Sequence, residues 1–163
     1  MERLRRGFTM LEMAVVLAII AILALMAVPS YIEKIVKDQI VEALPLADLA
    51  KGPVAASWSA TQILPDNNEG AGLPPADKIV SNFVRSVQVQ NGAIHVTFGN
   101  RASTAIKDKI LTLRPAVVAD APVVPVAWVC GNAAAPDKMT VKGENKTNIE
   151  TKFLPLKCRQ SPA

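Results

Sequence analysis

The sequence predicts an α+β fold in which one long amino-terminal helix lies across an antiparallel sheet of about four strands. Three observations predict it. An apolar run near the start continues into apolar residues at helical spacing, an Asn-Gly turn separates two alternating runs, and two short apolar runs follow. An antiparallel sheet needs a cover for its apolar face, and the amphipathic helix is the expected cover. A length of 163 residues allows one domain with an appended segment.

The amino-terminal segment consists of a basic head followed by a long apolar run. Three arginines lie within residues 1–7, and the apolar run covers residues 8–28 with Glu12 as its one charge. As a helix this run spans about 31 Å, enough to cross the hydrocarbon core of a bilayer. Three interpretations compete: a secretory signal peptide, a plain membrane anchor, and a cleaved leader followed by a functional helix. The signal peptide fits poorly because no Ala-x-Ala cleavage site follows the run.

Glu12 is the residue that a plain anchor does not explain. An ionisable group inside a membrane span costs roughly 2.5–3.5 kcal/mol on insertion scales, so such a group indicates a function. The apolar run contains no cation that could neutralise it. We therefore expect the cation to come from a partner subunit that brings a free amine to the same depth.

The helical pattern continues beyond the apolar run to about Thr61. Pro29 removes a backbone donor and is expected to kink or loosen the helix. Pro45 and Pro53 predict a curved helix, and the alternative is two helices joined near residues 51–53. Trp58 is expected to pack onto the sheet near the helix end. The apolar positions recur at spacings of three and four: Ile32, Ile35, Val36, Ile40, Ala43, Leu44, Ala47, Ala50 and Val54.

The second half of the chain carries turn and strand signals. Residues 64–75 are rich in Pro, Gly and Asn and predict a surface loop. Asn91-Gly92 lies between two alternating runs and predicts a hairpin with a type I′ turn, which needs positive φ at both central residues. His95 falls on the polar face of the second strand, which predicts a surface residue.

Two further strands complete the expected sheet. Residues 110–113 predict the third strand and residues 126–129 the fourth. Residues 115–125 are apolar but broken by prolines, which predicts an edge or a connecting loop.

Two cysteines, Cys130 and Cys158, lie in the last fifth of the chain. Their spacing does not fit a metal or redox pair, and the single histidine supplies no partner for zinc. One structural disulfide in an oxidising compartment is the favoured interpretation, and two reduced core thiols are the alternative. A disulfide closing a loop of 27 intervening residues would contribute about 3.5 kcal/mol in the chain-entropy model.

Residues 5–12, Arg-Arg-Gly-Phe-Thr-Met-Leu-Glu, resemble the processing site of type IV prepilins. In that family a short basic leader ends in Gly, Phe follows, and the fifth residue after the cut is Glu. The apolar run up to Tyr31 is also similar to that of family members, including Pro29. The sequence around Cys130 and Cys158 resembles the disulfide-bounded carboxyl-terminal region of Gram-negative type IV pilins.

The resemblance implies a mechanism of maturation and assembly. Prepilin peptidase would cut between Gly7 and Phe8, and the new amine of Phe8 would be methylated. Glu12 would neutralise the Phe8 ammonium of a neighbouring subunit in the filament, and the segment before Pro29 could unwind there. The implied partners are other pilin subunits, the peptidase, the pilus assembly machinery and the inner membrane, before export as an extracellular fimbrium.

The resemblance also divides the chain into a leader (1–7), a transmembrane and filament-core helix (8–30), and an amphipathic helix with its head domain (31–163). It implies a structural subunit for adhesion or twitching motility. The sequence shows no catalytic triad, phosphate loop or metal-ligand cluster, so no enzymatic activity, cofactor or metal is expected. A DNA-uptake pilin and a type II secretion pseudopilin are the alternatives. A net charge of +4 does not by itself indicate nucleic-acid binding. The DNA hypothesis depends on five lysines between the cysteines: Lys138, Lys142, Lys146, Lys152 and Lys157.

Overall fold

A computed structural model of the chain describes residues 7–160, apart from the side chain of Pro29. The predicted leader therefore lies outside the described residues except for Gly7. The structure contains one long helix, a five-stranded antiparallel sheet and two 3₁₀ turns, at Ala76–Lys78 and Leu156–Cys158. The longer elements are α1 (Met10–Thr61), β1 (Val84–Gln90), β2 (Ala93–Phe98), β3 (Ile110–Val117), β4 (Ala127–Cys130) and β5 (Thr140–Val141).

The chain divides into two compact units, one ending at Ile35 and the other beginning at Val36. The first unit contains the apolar part of α1, and its described large apolar side chains, such as Met10 and Leu25, are exposed to solvent. An 18-residue window of this helix has a mean hydropathy of 2.8, which makes it long and apolar enough to cross a membrane. The described side chains of this unit therefore present an exposed apolar surface.

Within the second unit, α1 packs one face against the sheet. The buried positions are those of the predicted stripe from Val36 to Val54, and Trp58 is buried near the helix end. Ile32 and Ile35, which the spacing included in the stripe, are instead exposed in the first unit, so the stripe begins one turn later than predicted.

The predicted alternative of two helices joined near residues 51–53 is wrong, because α1 is unbroken through Pro45 and Pro53. Each proline removes one backbone hydrogen bond. The turns around them bury Ala47, Ala50 and Val54 completely, and this tertiary packing holds the helix where local propensity disfavours it.

The hairpin is confirmed with its predicted turn. Val89 pairs with Ile94 and Gln90 with Ala93, and the central residues Asn91 and Gly92 have φ angles of 48° and 79°. A side chain at Gly92 would also place its Cβ 2.8 Å from Cδ1 of Leu64, so the turn requires glycine for two separate reasons.

The strands follow the order β1-β2-β3-β4, and β5 pairs with the end of β3. The prediction that residues 115–125 are all edge or loop is partly wrong, because β3 runs through Pro115 to Val117. The carbonyl oxygen of Pro115 accepts a hydrogen bond from the amide of Lys142, the residue that follows β5. The proline nitrogen faces that same side, so no ladder bond to β4 is lost.

The outer edge of β1 is covered by the loop that follows α1. Asn68 is buried there, and its Nδ2 donates to the carbonyl oxygens of Val87 (3.0 Å) and Pro74 (2.9 Å). Its Oδ1 accepts from the Val89 amide at 2.6 Å. One side chain thus makes the bonds that a neighbouring strand would make. Residues 64–75 form the predicted loop, and Asn68 ties it to the sheet.

The prediction that His95 is a surface residue is wrong, since it is only 3% exposed. Its side chain lies on the predicted face, opposite the helix-facing Ile94 and Val96. That face is covered by residues 144–148, whose Lys146 amide donates to Oγ1 of Thr112, the cross-strand neighbour of His95. The alternation along the strand predicted the correct face. It gave no information about residues 144–148, which cover that face but lie far away in the sequence.

Candidate functional site

The predicted processing junction lies in an irregular segment before the helix. Residues 7–9 have no regular secondary structure, and α1 begins at Met10. Phe8 is 77% exposed, and a Cβ added at Gly7 would meet no heavy atom within 4 Å. The Gly7–Phe8 peptide is therefore sterically open within the described chain.

Thr9 and Glu12 form a reciprocal cap at the start of α1. The Thr9 amide donates to Oε2 of Glu12 at 2.8 Å, and the Glu12 amide donates to Oγ1 of Thr9 at 3.2 Å. The Thr9 hydroxyl also donates to Oε2 at 3.0 Å. This is a capping box, which satisfies two amide donors that the helix leaves without partners. Sequence analysis missed Thr9 although the Thr-x-x-Glu spacing before an apolar run signals it.

The cap fixes where the Glu12 carboxylate lies. Two of the three hydrogen bonds end on Oε2, and the third joins the Glu12 amide to the Thr9 hydroxyl. Oε1 takes part in none of them. Glu12 lines an apolar surface groove of about 290 Å³ together with Phe8, Leu11, Val15 and Val16. The arrangement offers one carboxylate oxygen, at a fixed height on the helix, within an apolar surface.

Pro29 lies inside α1, which is helical on both sides of it. The predicted kink or loosening at Pro29 stays a prediction.

The predicted disulfide is confirmed. Cys130, at the end of β4, is bonded to Cys158 in the last 3₁₀ turn, with 4.5 Å between their Cα atoms. The carbonyl of Cys158 accepts a hydrogen bond from the Asn132 amide at 3.0 Å. Gly131, with φ of 55°, leaves room for that carbonyl, because a Cβ there would lie 2.8 Å from it.

The five lysines of the disulfide-bounded loop do not share one environment. Lys146 is half-buried, and its Nζ lies 2.6 Å from Oε1 of Gln90 and 3.8 Å from Glu144. Lys152 pairs with Glu150 at 2.7 Å. The remaining three lysines are exposed: Lys138, Lys142 and Lys157. Two of the five therefore serve contacts within the subunit.

His95 lies in a buried polar cluster under the same loop. Its Nδ1 is 2.9 Å from Oγ1 of Thr112, and its Nε2 is buried without a hydrogen-bond partner. Burial, with a smaller contribution from the nearby Lys146, lowers the pKa of His95 to about 4, and Glu144 opposes the shift. The histidine is thus neutral at physiological pH and holds the loop through Thr112.

Among residues 7–160, no group of three or more His, Cys, Asp or Glu side chains lies close enough to hold a metal ion.

Comparisons with known proteins agree with this geometry. Residues 36–159 match the pilin family, described as pilin (bacterial filament), and residues 3–28 match the prokaryotic N-terminal methylation motif. The chain is 34% identical to the type IV major pilin protein PilE1 of Neisseria gonorrhoeae, an alignment covering 99% of this chain and 91% of the relative.

Two further relatives are named fimbrial proteins. One, from Neisseria meningitidis serogroup B, is 31% identical over 99% of this chain and 98% of its own length. The other, fimbrial protein EcpC of Eikenella corrodens, is 29% identical over 99% and 95%. With a family match over most of its length, the disulfide and the helix-on-sheet fold, the chain belongs to the pilin family of bacterial filament subunits.

Proposed function

We propose that the chain is made as a prepilin in the inner membrane and polymerises through α1 into a type IV pilus. The observation that carries this proposal is the arrangement at the start of α1. An exposed Gly7–Phe8 junction directly precedes a capped carboxylate at Glu12, which begins an exposed apolar helix long enough to span a bilayer. The methylation motif matched at residues 3–28 supports the same maturation.

Maturation creates the charge that Glu12 requires. Cleavage after Gly7 by prepilin peptidase frees the amine of Phe8, and methylation keeps that amine cationic. In the filament, Oε1 of Glu12 accepts from the Phe8 ammonium of a neighbouring subunit, while Oε2 remains bonded to Thr9. The neighbour is the expected source because the apolar surface of the first unit is exposed and must be covered by other copies.

The pair fixes the axial register of the subunits. Apolar side chains around the helix tolerate a slip of one residue, because one apolar contact replaces another of similar area. A slip that separates Glu12 from the ammonium leaves a charge unpaired in apolar surroundings, which costs about 3–5 kcal/mol. The charge pair thus selects one arrangement among many that packing allows.

The assembled product is proposed to be an extracellular fimbrium that serves adhesion or twitching motility. The pilus assembly machinery would extract the processed subunit from the inner membrane. The relatives named major pilin and fimbrial protein support this assignment.

The test of this function begins with mass spectrometry of subunits from natural filaments. The mature chain is expected to begin at methylated Phe8. Gly7→Glu is expected to leave an uncut precursor in the membrane and no surface filaments. A side chain at Gly7 meets nothing within 4 Å, so misfolding would not explain the block. A mature chain that begins elsewhere, or a mature-sized band from Gly7→Glu, contradicts the proposal.

DNA uptake is the second candidate function, and the exposed Lys138, Lys142 and Lys157 favour it. Phosphate contacts by these lysines would make DNA retention by intact filaments fall steeply with salt. Filaments that retain no DNA at low salt would eliminate this candidate without affecting the structural role.

A further inference from the structure

A cluster of cations lies around the loop between β2 and β3. Arg101, Lys107 and Lys109 of this loop are exposed, and so is Arg85 of β1. The one carboxylate of the loop, Asp108, lies 2.8 Å from Nη1 of Arg85. We call Arg85, Arg101, Lys107 and Lys109 the basic cluster. It carries four positive charges against one carboxylate.

The backbone that carries the basic cluster is held firmly. Ile106 is completely buried and Ala102 nearly so, both within the hydrophobic core. The Asn100 side chain donates to the carbonyl oxygens of Ser81 and Val84 at 2.8 and 2.9 Å. Long charged side chains therefore extend from a fixed frame, which lowers the entropy cost of a shared contact.

The basic cluster lies at the end of the second unit where the chain enters it. The Ser103 amide donates to Oε1 of Gln39 at 2.9 Å, and Gln39 is in the first helical turn of the unit that begins at Val36. The apolar run ends at Val28, eleven residues before Gln39 along the chain.

We propose that the basic cluster binds the phosphate groups of anionic phospholipids while the subunit waits in the membrane before assembly. The proposal rests on the membrane insertion of the proposed function. An anionic leaflet attracts nearby Lys and Arg side chains over about a Debye length, 8–10 Å at physiological salt. Asp38 and Glu42 are exposed carboxylates on the same part of α1. Their short side chains reach less far than those of Arg and Lys, whose charged ends extend toward headgroups.

The position of the cluster favours lipid over nucleic acid. A DNA-binding surface has to be accessible on the finished filament, whereas a lipid-binding surface has to lie close to the membrane-spanning segment. The loop contacts Gln39, which follows the apolar run by only eleven residues, so the chain itself keeps the cluster near that segment. Binding would orient the second unit on the membrane until lipid contacts are exchanged for subunit contacts.

The experiment uses the full chain in nanodiscs that contain a lipid with a spin-labelled headgroup. Paramagnetic broadening of the amide signals of residues 99–109 is compared between discs rich in phosphatidylglycerol and discs of phosphatidylcholine alone. The expected result is several-fold stronger broadening in the anionic discs, and loss of the difference at high salt. Equal broadening in both discs overturns the proposal.

Two matched triple variants separate position from total charge. Arg101→Gln/Lys107→Gln/Lys109→Gln is expected to abolish the lipid-dependent difference. Lys138→Gln/Lys142→Gln/Lys157→Gln removes the same charge from the disulfide-bounded loop and is expected to preserve it. If both variants lose the difference equally, total charge rather than the basic cluster is responsible, and the proposal is wrong.

A DNA duplex added to the phosphatidylcholine discs tests the other polyanion. Chemical-shift changes in residues 99–109 that match the effect of anionic lipid would identify a general polyanion surface and overturn the assignment to lipid. Failure of the proposed function is distinguishable, because a chain without a membrane-spanning helix would not enter the discs at all.

Discussion

Thr9 and Glu12 show how one carboxylate serves two purposes at the start of α1. In the isolated subunit Glu12 caps its own helix through Thr9. In the proposed filament it also neutralises a neighbour. The sequence indicated the second purpose through an acid in an apolar run, and the structure added the first.

Substitutions at Thr9 and Glu12 separate these purposes. Thr9→Ala removes the cap and is expected to cost about 1 kcal/mol at the helix start while filaments still form. Glu12→Ala removes both the cap and the charge, and is expected to leave processing at Gly7 intact but abolish filaments. Electron microscopy of cells carrying each variant measures assembly, and Thr9→Ser is the control that retains the hydroxyl. If Thr9→Ala abolishes filaments just as Glu12→Ala does, loss of the cap explains both results and Glu12 acts only as a cap.

His95 predicts a dependence of stability on pH. Its folded pKa of about 4 lies below the unfolded value of about 6.5, so the unfolded chain binds the proton more readily between these values. Stability is fully present above about pH 6.5 and falls as pH drops toward 4, by up to about 3 kcal/mol. Lys146 and Glu144 are the charged groups that act on the ring.

The measurement is denaturant unfolding of the full chain in detergent between pH 4.5 and 7.5, compared with His95→Gln. The variant is expected to lose the part of the pH slope that the histidine causes, while the carboxylates shared by both proteins keep theirs. Identical slopes in the two proteins would show that His95 accepts a proton in the folded state at its ordinary pKa.

The hairpin is the element that local sequence predicts most completely. Asn91-Gly92 determines the turn, and the flanking alternation determines the faces. Other elements depend on distant partners. The two residues of β5 are β-branched but too few to show an alternating pattern, and they pair with β3 because the disulfide-bounded loop brings them there. Pro45 and Pro53 signal a break that packing of α1 on the sheet overrides.

Gly92→Ala tests the two requirements at the hairpin turn. The substitution strains a backbone with φ of 79° and places Cβ against Leu64, and we expect a loss of about 2–3 kcal/mol in the free energy of unfolding. Gly72→Ala is the matched control, because its φ is 66° but its Cβ meets nothing within 4 Å. It is expected to cost only about 1 kcal/mol. Equal losses measured by denaturant unfolding would contradict the role of Leu64.

At the scale of the whole molecule, the disulfide joins β4 to the end of the chain. The loop it closes supplies β5 and the cover over His95. Cys130→Ser/Cys158→Ser is expected to destabilise the second unit by about 3.5 kcal/mol. Amide hydrogen exchange is expected to accelerate most at Lys146, Thr147 and Asn148. Unchanged exchange at these residues would show that the cover holds without the disulfide.

The sequence predicted the fold class, the disulfide and the helix stripe from Val36 onward, because these depend mainly on residue type and spacing. It did not predict the burial of His95, the tie from Asn68 to β1, or the contact of Gln39 with the β2–β3 loop. Each of these joins segments that lie from 19 to 64 residues apart, and no local periodicity encodes such a meeting.

The side chain of Asn68 has a consequence for storage of the subunit. In the proposed membrane stage before assembly, copies of the subunit lie side by side, and an open strand edge would allow their sheets to pair. Asn68 occupies the bonding positions of Val87 and Val89, so this part of the edge is closed to a second strand. In the proposed filament, polymer growth is thereby left to the helix.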